Sequence, residues 1–165
     1  MNVAPLNEDL RALYQEVILD HAKHPRNAVL VADHTCKAQG NNPMCGDRVT
    51  VTARLGGDGR LADIGFDGKG CAISIASASM MTEALKGQSV ETARQLFSAV
   101  HDLCTGKADP DTVKGSLAAG VADSVDKLAS LSGVRQFPVR VKCATLPWHA
   151  LISCLEGKDK TTTEK

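Results

Sequence analysis

Arg48-Val49-Thr50-Val51-Thr52-Ala53-Arg54-Leu55, then Gly56-Gly57-Asp58-Gly59-Arg60, then Leu61-Ala62-Asp63-Ile64-Gly65-Phe66: this stretch decides the fold. In its first part Val49, Val51, Ala53 and Leu55 alternate with Arg48, Thr50, Thr52 and Arg54, the period of a half-buried strand. The glycine-rich run is a hairpin turn signal. The last part places Ala62, Ile64 and Phe66 on one face of a second strand. A short strand over 33–39 precedes them. Together they predict an antiparallel meander with one wet face and one buried face.

Working outward, chemistry-bearing residues flank the hairpin. Before it stands Asn41-Asn42-Pro43-Met44-Cys45-Gly46-Asp47, a polar turn with Cys45 and Asp47 two residues apart, on one side of the chain if it is extended there. After it, Cys71 follows the hinge Gly68-Lys69-Gly70. A third cysteine, Cys143, follows the basic run Arg140-Val141-Lys142.

Helices surround this hairpin. Residues 7–24 carry Leu10, Leu13, Tyr14, Val17 and Ile18 at helical spacing, with Asn7 or Asp9 to cap them and Pro25 to end them. The stripe is expected to cover the sheet. From Cys71 to Lys86 the small residues and Met predict a closely packed helix stopped by Gly87. Ser89 caps another that runs to about Val100 or Leu103. Asp109-Pro110-Asp111 opens a short helix, and 121–131 reads as another. Residues 133–138 read as a loop and 139–142 as extended. The last helix is expected from Cys143 or Thr145 to Leu155, with Pro147 in its first turn. Residues 1–157 form a single domain, and 158–165 read as a disordered tail.

The 165 residues suffice for one domain with a core, and 43% are hydrophobic. The 19 basic and 19 acidic residues cancel, which excludes the basic excess of a nucleic-acid binder. No signal-peptide pattern and no apolar run of membrane-spanning length occur, so the expectation is a cytoplasmic protein. In a reducing compartment the six cysteines point to metal or thiol chemistry rather than disulfides. Cys36, Cys104 and Cys154 sit in apolar surroundings and read as buried small hydrophobes.

Three cysteines and one carboxylate suit Zn²⁺, which takes four tetrahedral ligands. Cys71 and Cys143 are expected at helix N-termini, where the dipole favours a thiolate. Arg140 and Lys142, if near, add to that effect. Two blander readings stand beside this one. The cysteines are buried apart from one another, since no C-x-x-C pair anchors a zinc site; or a closed structural zinc holds loops together. His21, His24, His34, His101 and His149 are not at ligand spacing; His149 could face the sheet.

The motifs carry a resemblance. Residues 13–21, His24-Pro25-Arg26-Asn27, Asn42-Pro43-Met44-Cys45-Gly46-Asp47, 65–74 and Arg140-Val141-Lys142-Cys143-Ala144-Thr145-Leu146 resemble the U-type iron–sulfur assembly family, most closely its SufU branch. The resemblance implies an α+β fold: a small three-stranded antiparallel sheet, helices packed on one face and a metal site at one end. It implies Cys45, Asp47, Cys71 and Cys143 as the ligand set. Lys142, where IscU-type scaffolds have histidine, and the extra helical segment 105–132 both match SufU.

The activity so implied is zinc-dependent sulfur transfer, with Cys45 accepting persulfide sulfur from a PLP-dependent cysteine desulfurase of SufS type. Downstream iron–sulfur scaffold proteins would receive it. The alternative is a scaffold on which a transient [2Fe–2S] cluster, or iron, is held by the same residues. A third possibility is a structural zinc module that only docks. Neither nucleic acid nor membrane is an expected partner, and the chain is expected to be a monomer or weak dimer.

Overall fold

The hairpin builds the predicted meander. In the computed structural model, which describes residues 8–117, 121 and 124–162, β1 (Cys36–Asn42) pairs antiparallel with β2 (Asp47–Leu55). β2 pairs antiparallel with β3 (Leu61–Lys69). A fourth strand, β4 (Lys160–Thr162), runs parallel to β1, giving a mixed sheet of order β3-β2-β1-β4. This corrects two expectations, the three-stranded antiparallel sheet and the disordered tail. The outer edge of β1 presents unpaired backbone groups at Gln39–Asn41, and the chain leaving the last helix pairs with them; Gln39 N–H donates to the Asp159 carbonyl at 2.9 Å. The last three residues of that tail lie outside the described residues.

Val49, Val51 and Ala53 are fully buried, as the alternation requires. Thr52, expected on the wet face, is buried too. Its hydroxyl accepts from Val31 N–H at 2.9 Å and donates to the Gly65 carbonyl at 3.3 Å, so the segment before β1 covers this part of the sheet. On β3 the register passes from Arg54↔Asp63 to Leu55↔Leu61. Ala62 is therefore the extra residue of a bulge and is exposed; Leu61 takes the core position expected of it.

The helices are α1 (Glu8–Lys23), α2 (Ala72–Leu85), α3 (Val90–Thr105), α4 (Pro110–Ser116) and α5 (Val125–Leu128). A 3-10 helix (Ala129–Gln136) and α6 (Pro138–Leu155) follow. Two predicted caps form: the Ser89 hydroxyl accepts from Thr92 N–H, and Asp109 accepts from Thr112 N–H. Asn7 lies outside the described residues, and Asp9 sits inside the first turn of α1 instead of capping it. The main contacts of α1 are with α2 and the 3-10 helix, not with the sheet; the sheet face is already occupied by α2 and α6. His21 is buried, its Nδ1 2.7 Å from the Ser79 hydroxyl.

α6 departs most from expectation. Residues 133–136 are 3-10 helix and 139–142 are helical, so Cys143 lies inside α6, not at its start. Pro138 opens the helix, where a missing N–H costs nothing, and Pro147 stands in its interior. An interior proline opposes a helix by about 3 kcal/mol. Burial outweighs it: Ala144, Leu146, Trp148, Ala150 and Leu151 are all fully buried. Trp148 Nε1 donates to the Ser77 hydroxyl at 3.1 Å, and that hydroxyl donates to the Ala144 carbonyl, tying α6 to α2. His149 faces Phe97 on α3 edge-on, with ring centres 5.0 Å apart, rather than the sheet.

Cys104 is a buried small hydrophobe as expected. Cys36 and Cys154 are not; they form a disulfide between the start of β1 and the last turn of α6. No helix is long and apolar enough to cross a membrane among the described residues.

Candidate metal centre

The end of the sheet where β1 turns into β2 collects the chemistry-bearing residues. Cys45 lies in the turn joining the two strands, where its N–H donates to the Asn42 carbonyl at 3.2 Å. Gly46 follows with φ 69°, a left-handed conformation that glycine adopts without penalty. The Cys45–Asp47 segment is thus a tight turn, as the polar run predicted, and the turn rather than an extended backbone brings both side chains to one place. Asp47 opens β2 and is fully buried. Cys71 occupies the N-cap of α2, just past the end of β3. Cys143 arrives from the second turn of α6 and is fully buried.

The structure brings these together. One ligand atom from each of Cys45, Asp47 and Cys143 lies within 4.8 Å of the others. The Cys143 and Cys45 sulfurs are 3.1 Å apart. Cys71 joins through Asp47: its N–H donates to Asp47 Oδ1 at 2.8 Å, and its sulfur stands 3.8 Å from Oδ2. Donors about 2.3 Å from a tetrahedral centre stand about 3.8 Å from one another. The observed sulfur–sulfur spacing of 3.1 Å and sulfur–carboxylate spacing of 3.8 Å lie near that value.

Charge points the same way. Burial, and then hydrogen bonding with Asp47, Cys45 and Cys71, pushes the Cys143 thiol far above its ordinary pKa. Four groups that become anionic on losing a proton crowd one small volume. A cation among them lets them deprotonate together. Soft sulfur with one carboxylate oxygen is a donor set suited to Zn²⁺. Cys45 and Cys71 are half-buried while Cys143 and Asp47 are sealed, so the outward side of the site is the Cys45–Cys71 side.

Two contributors were not singled out from the sequence. Asn42, fully buried at the end of β1, donates from Nδ2 to the Cys143 sulfur at 3.5 Å and lies 3.5 Å from Asp47 Oδ2. Gly70 lies against Asp47, and a Cβ there would overlap the carboxylate. Both stand in the motifs quoted above, but neither is a ligand type. Arg140 stands one turn before Cys143, exposed, in a groove of about 240 Å³ that it lines with Arg11, Tyr14 and Phe137. Lys142 precedes Cys143 on α6 and is half-buried.

The sequence matches the NifU-like N terminal domain model over residues 13–129. The chain belongs to that family. It is 43% identical over 145 residues to the zinc-dependent sulfurtransferase SufU of Bacillus subtilis, covering 88% of this chain and 90% of that protein. It is 37% identical over 142 residues to the iron–sulfur cluster assembly scaffold protein IscU of Streptococcus pyogenes, covering 86% and 82%. Among solved structures it superposes with TM-score 0.70 and 29% identity on an iron–sulfur cluster assembly scaffold protein for the SUF system (FiSufU) from Fervidobacterium islandicum, covering 88% of this chain and 98% of that one. A NifU-like N-terminal structure from Brucella abortus superposes with TM-score 0.73 at 22% identity over 87% of this chain and 92% of its own, a likeness of fold. The family ties the chain to iron–sulfur cluster assembly, and its SufU likeness extends over most of its length.

Proposed function

We propose that this protein is a zinc-dependent sulfur acceptor, a cytoplasmic sulfurtransferase that takes persulfide sulfur from a PLP-dependent cysteine desulfurase for iron–sulfur cluster assembly. Cys45, Asp47, Cys71 and Cys143 are its metal ligands and Cys45 is the acceptor. The observation that carries this reading is the convergence of the four side chains at one end of the sheet, with Cys45 presented in a turn on the outward side. The zinc-dependent sulfurtransferase relative, similar over 88% of the chain, supports the choice of metal and activity.

Bound zinc would keep the thiols ionised at neutral pH. The chain's own residues do the rest. The Cys45 thiolate attacks the terminal sulfur of the donor's persulfide, the sulfur–sulfur bond breaks, and its electron pair leaves on the donor cysteine as a thiolate. Cys45 then carries the sulfur as a persulfide. Asp47, fixed by Cys71 N–H, and Cys143, fixed by Asn42 and the packing of α6, hold the site while Cys45 is engaged. Cys45 stands in a turn, whereas Asp47 opens β2, Cys71 caps α2 and Cys143 lies within α6.

The test is desulfurase turnover with wild type and with Cys45→Ala. Loss of stimulation in the variant, with its fold intact, supports the reading; full stimulation refutes it. A second reading, a scaffold holding a transient [2Fe–2S] cluster, has the IscU-named relative in its favour. Lys142 in place of a histidine removes one candidate cluster ligand and counts against it. A stable cluster transferable to an apo-protein would favour this second reading.

A further inference from the structure

β1 and α6 meet at the metal centre, where Asn42 at the end of β1 touches the Cys143 sulfur of α6. They meet again at their other ends. Cys36 opens β1, Cys154 lies in the last turn of α6, and a disulfide joins them across 118 residues of sequence, with Cα atoms 5.3 Å apart. From Cys36 to Asn42 is about 20 Å of strand. From Cys143 to Cys154 is about 16 Å of helix. The two elements that flank the site are thus clamped at both ends, by a covalent bond at one and by the metal-site contact at the other.

The two cysteines are unequally buried. Cys154 is 1% exposed, whereas Cys36 is half-buried. β4 pairs with β1 only at Gln39–Asn41, so among the described residues the Cys36 end of that edge has no strand beside it. A thiolate from solvent therefore meets Cys36 first. One other pair of sulfurs lies close, Cys45 and Cys143 at 3.1 Å, at the opposite end of the two elements. Cys45, Cys71 and Cys143 belong to the metal centre, and Cys104 is sealed in the core with its thiol pushed up to about 12 by burial.

We propose that Cys36–Cys154 is a thiol-exchangeable crosslink that sets how tightly β1 and α6 hold the metal centre: closed, it retains the metal; open, it loosens it. Exchange with an external dithiol balances simply. One thiolate attacks Cys36 Sγ, and Cys154 leaves with the electron pair and takes a proton. The second thiol of the same dithiol then displaces Cys36 and closes its own disulfide, so two electrons and two protons pass to the protein. Closure is the reverse exchange with a disulfide of the same class. In a reducing compartment a disulfide is transient and regulatory more often than a fixed staple. The linkage to metal rests on the functional reading above; the crosslink itself does not.

The experiment uses the full chain, purified without reductant and loaded with one equivalent of zinc. Alkylation in denaturant with chelator, read by mass, counts the free thiols. The closed form should take four labels, being the six cysteines less the two in the disulfide, with Cys36 and Cys154 the unlabelled pair by peptide mapping, and all six after phosphine reduction. Zinc transfer to excess EDTA is then followed for closed wild type, phosphine-opened wild type and Cys36→Ser/Cys154→Ser. Both opened forms should release zinc roughly tenfold faster than the closed one, the size expected when support for ligands is lost. Six labels without phosphine, or labelled Cys36 and Cys154, overturn the crosslink, and equal release rates overturn its role. The phosphine-opened wild type decides the matter if the double variant fails to fold. A chain that takes up no zinc refutes the functional reading and the linkage together, while the label count still judges the crosslink.

Discussion

Gly70→Ala puts the geometry of the metal centre at risk with a single methyl group. Gly70 has φ 156°, a conformation L-residues rarely adopt, and its added Cβ would overlap Asp47 Oδ1 and come within 3.0 Å of the Ser74 hydroxyl. Holding alanine in that backbone region costs about 1–3 kcal/mol. Displacing the Asp47 carboxylate breaks its 2.8 Å bond from Cys71 N–H. A hydrogen bond to a charged group contributes about 1.5–3 kcal/mol. Together the metal-free protein should lose about 2.5–6 kcal/mol, lowering Tm by roughly 5–24 °C for a chain of this size. Zinc affinity should fall about 10- to 100-fold, because the same carboxylate is moved. Thermal unfolding of metal-free protein and chelator competition measure the two effects separately. Gly57→Ala is the matched control: its Cβ meets nothing within 4 Å and its φ is not positive. It should stay within about 0.5 kcal/mol of wild type. Wild-type Tm and zinc affinity in Gly70→Ala would refute the claim that Asp47 is held against the 70–71 peptide.

His21 gives a pH dependence. Burial first, and then nearby Arg26, holds its pKa below the ordinary 6.5, so it is neutral in the fold. The unfolded chain takes up that proton at higher pH than the native one. Its contribution is full above about pH 6.5 and is lost as pH falls toward the folded value. Urea unfolding across this window should show the decline, and His21→Gln should flatten it; an unchanged profile contradicts the assignment. Trp148→Phe removes the donor to the Ser77 hydroxyl and should cost about 1–2 kcal/mol in urea unfolding. Wild-type stability would mean the α2–α6 tie contributes nothing. Asn42→Ala should weaken zinc binding about tenfold or more in chelator competition while desulfurase stimulation is retained at saturating zinc.

The hairpin was readable because alternation and a glycine turn are local signals, and Val49, Val51 and Ala53 lie where the period puts them. Cys45, Asp47 and Cys71 were nameable for a similar reason: each stands beside a chain reversal or hinge at one end of that hairpin. Cys143 was nameable by its motif, but its setting was not. Pro147 drew the expected helix start downstream, whereas Pro138 is the opening residue and buried side chains hold the interior proline in place. β4 was illegible because Lys160–Thr162 is polar and short; what recruits it is the free edge of β1, which no local pattern records. The bulge at Ala62 is set by pairing across the hairpin, so strict alternation assigned the wrong residue to the core. Cys36 and Cys154 are 118 residues apart, and the composition argument for reduced thiols pointed away from pairing them. Asn42 escaped notice because it touches the Cys143 sulfur and is not itself a residue type that signals a metal site.

Zinc-dependent sulfur acceptance at Cys45 is best measured as the metal content of the protein as purified, paired with desulfurase turnover in its presence and absence. Near-stoichiometric zinc with a strong rise in turnover that vanishes in Cys45→Ala is the predicted result. Iron with acid-labile sulfide, and little stimulation, would contradict the account and identify a scaffold.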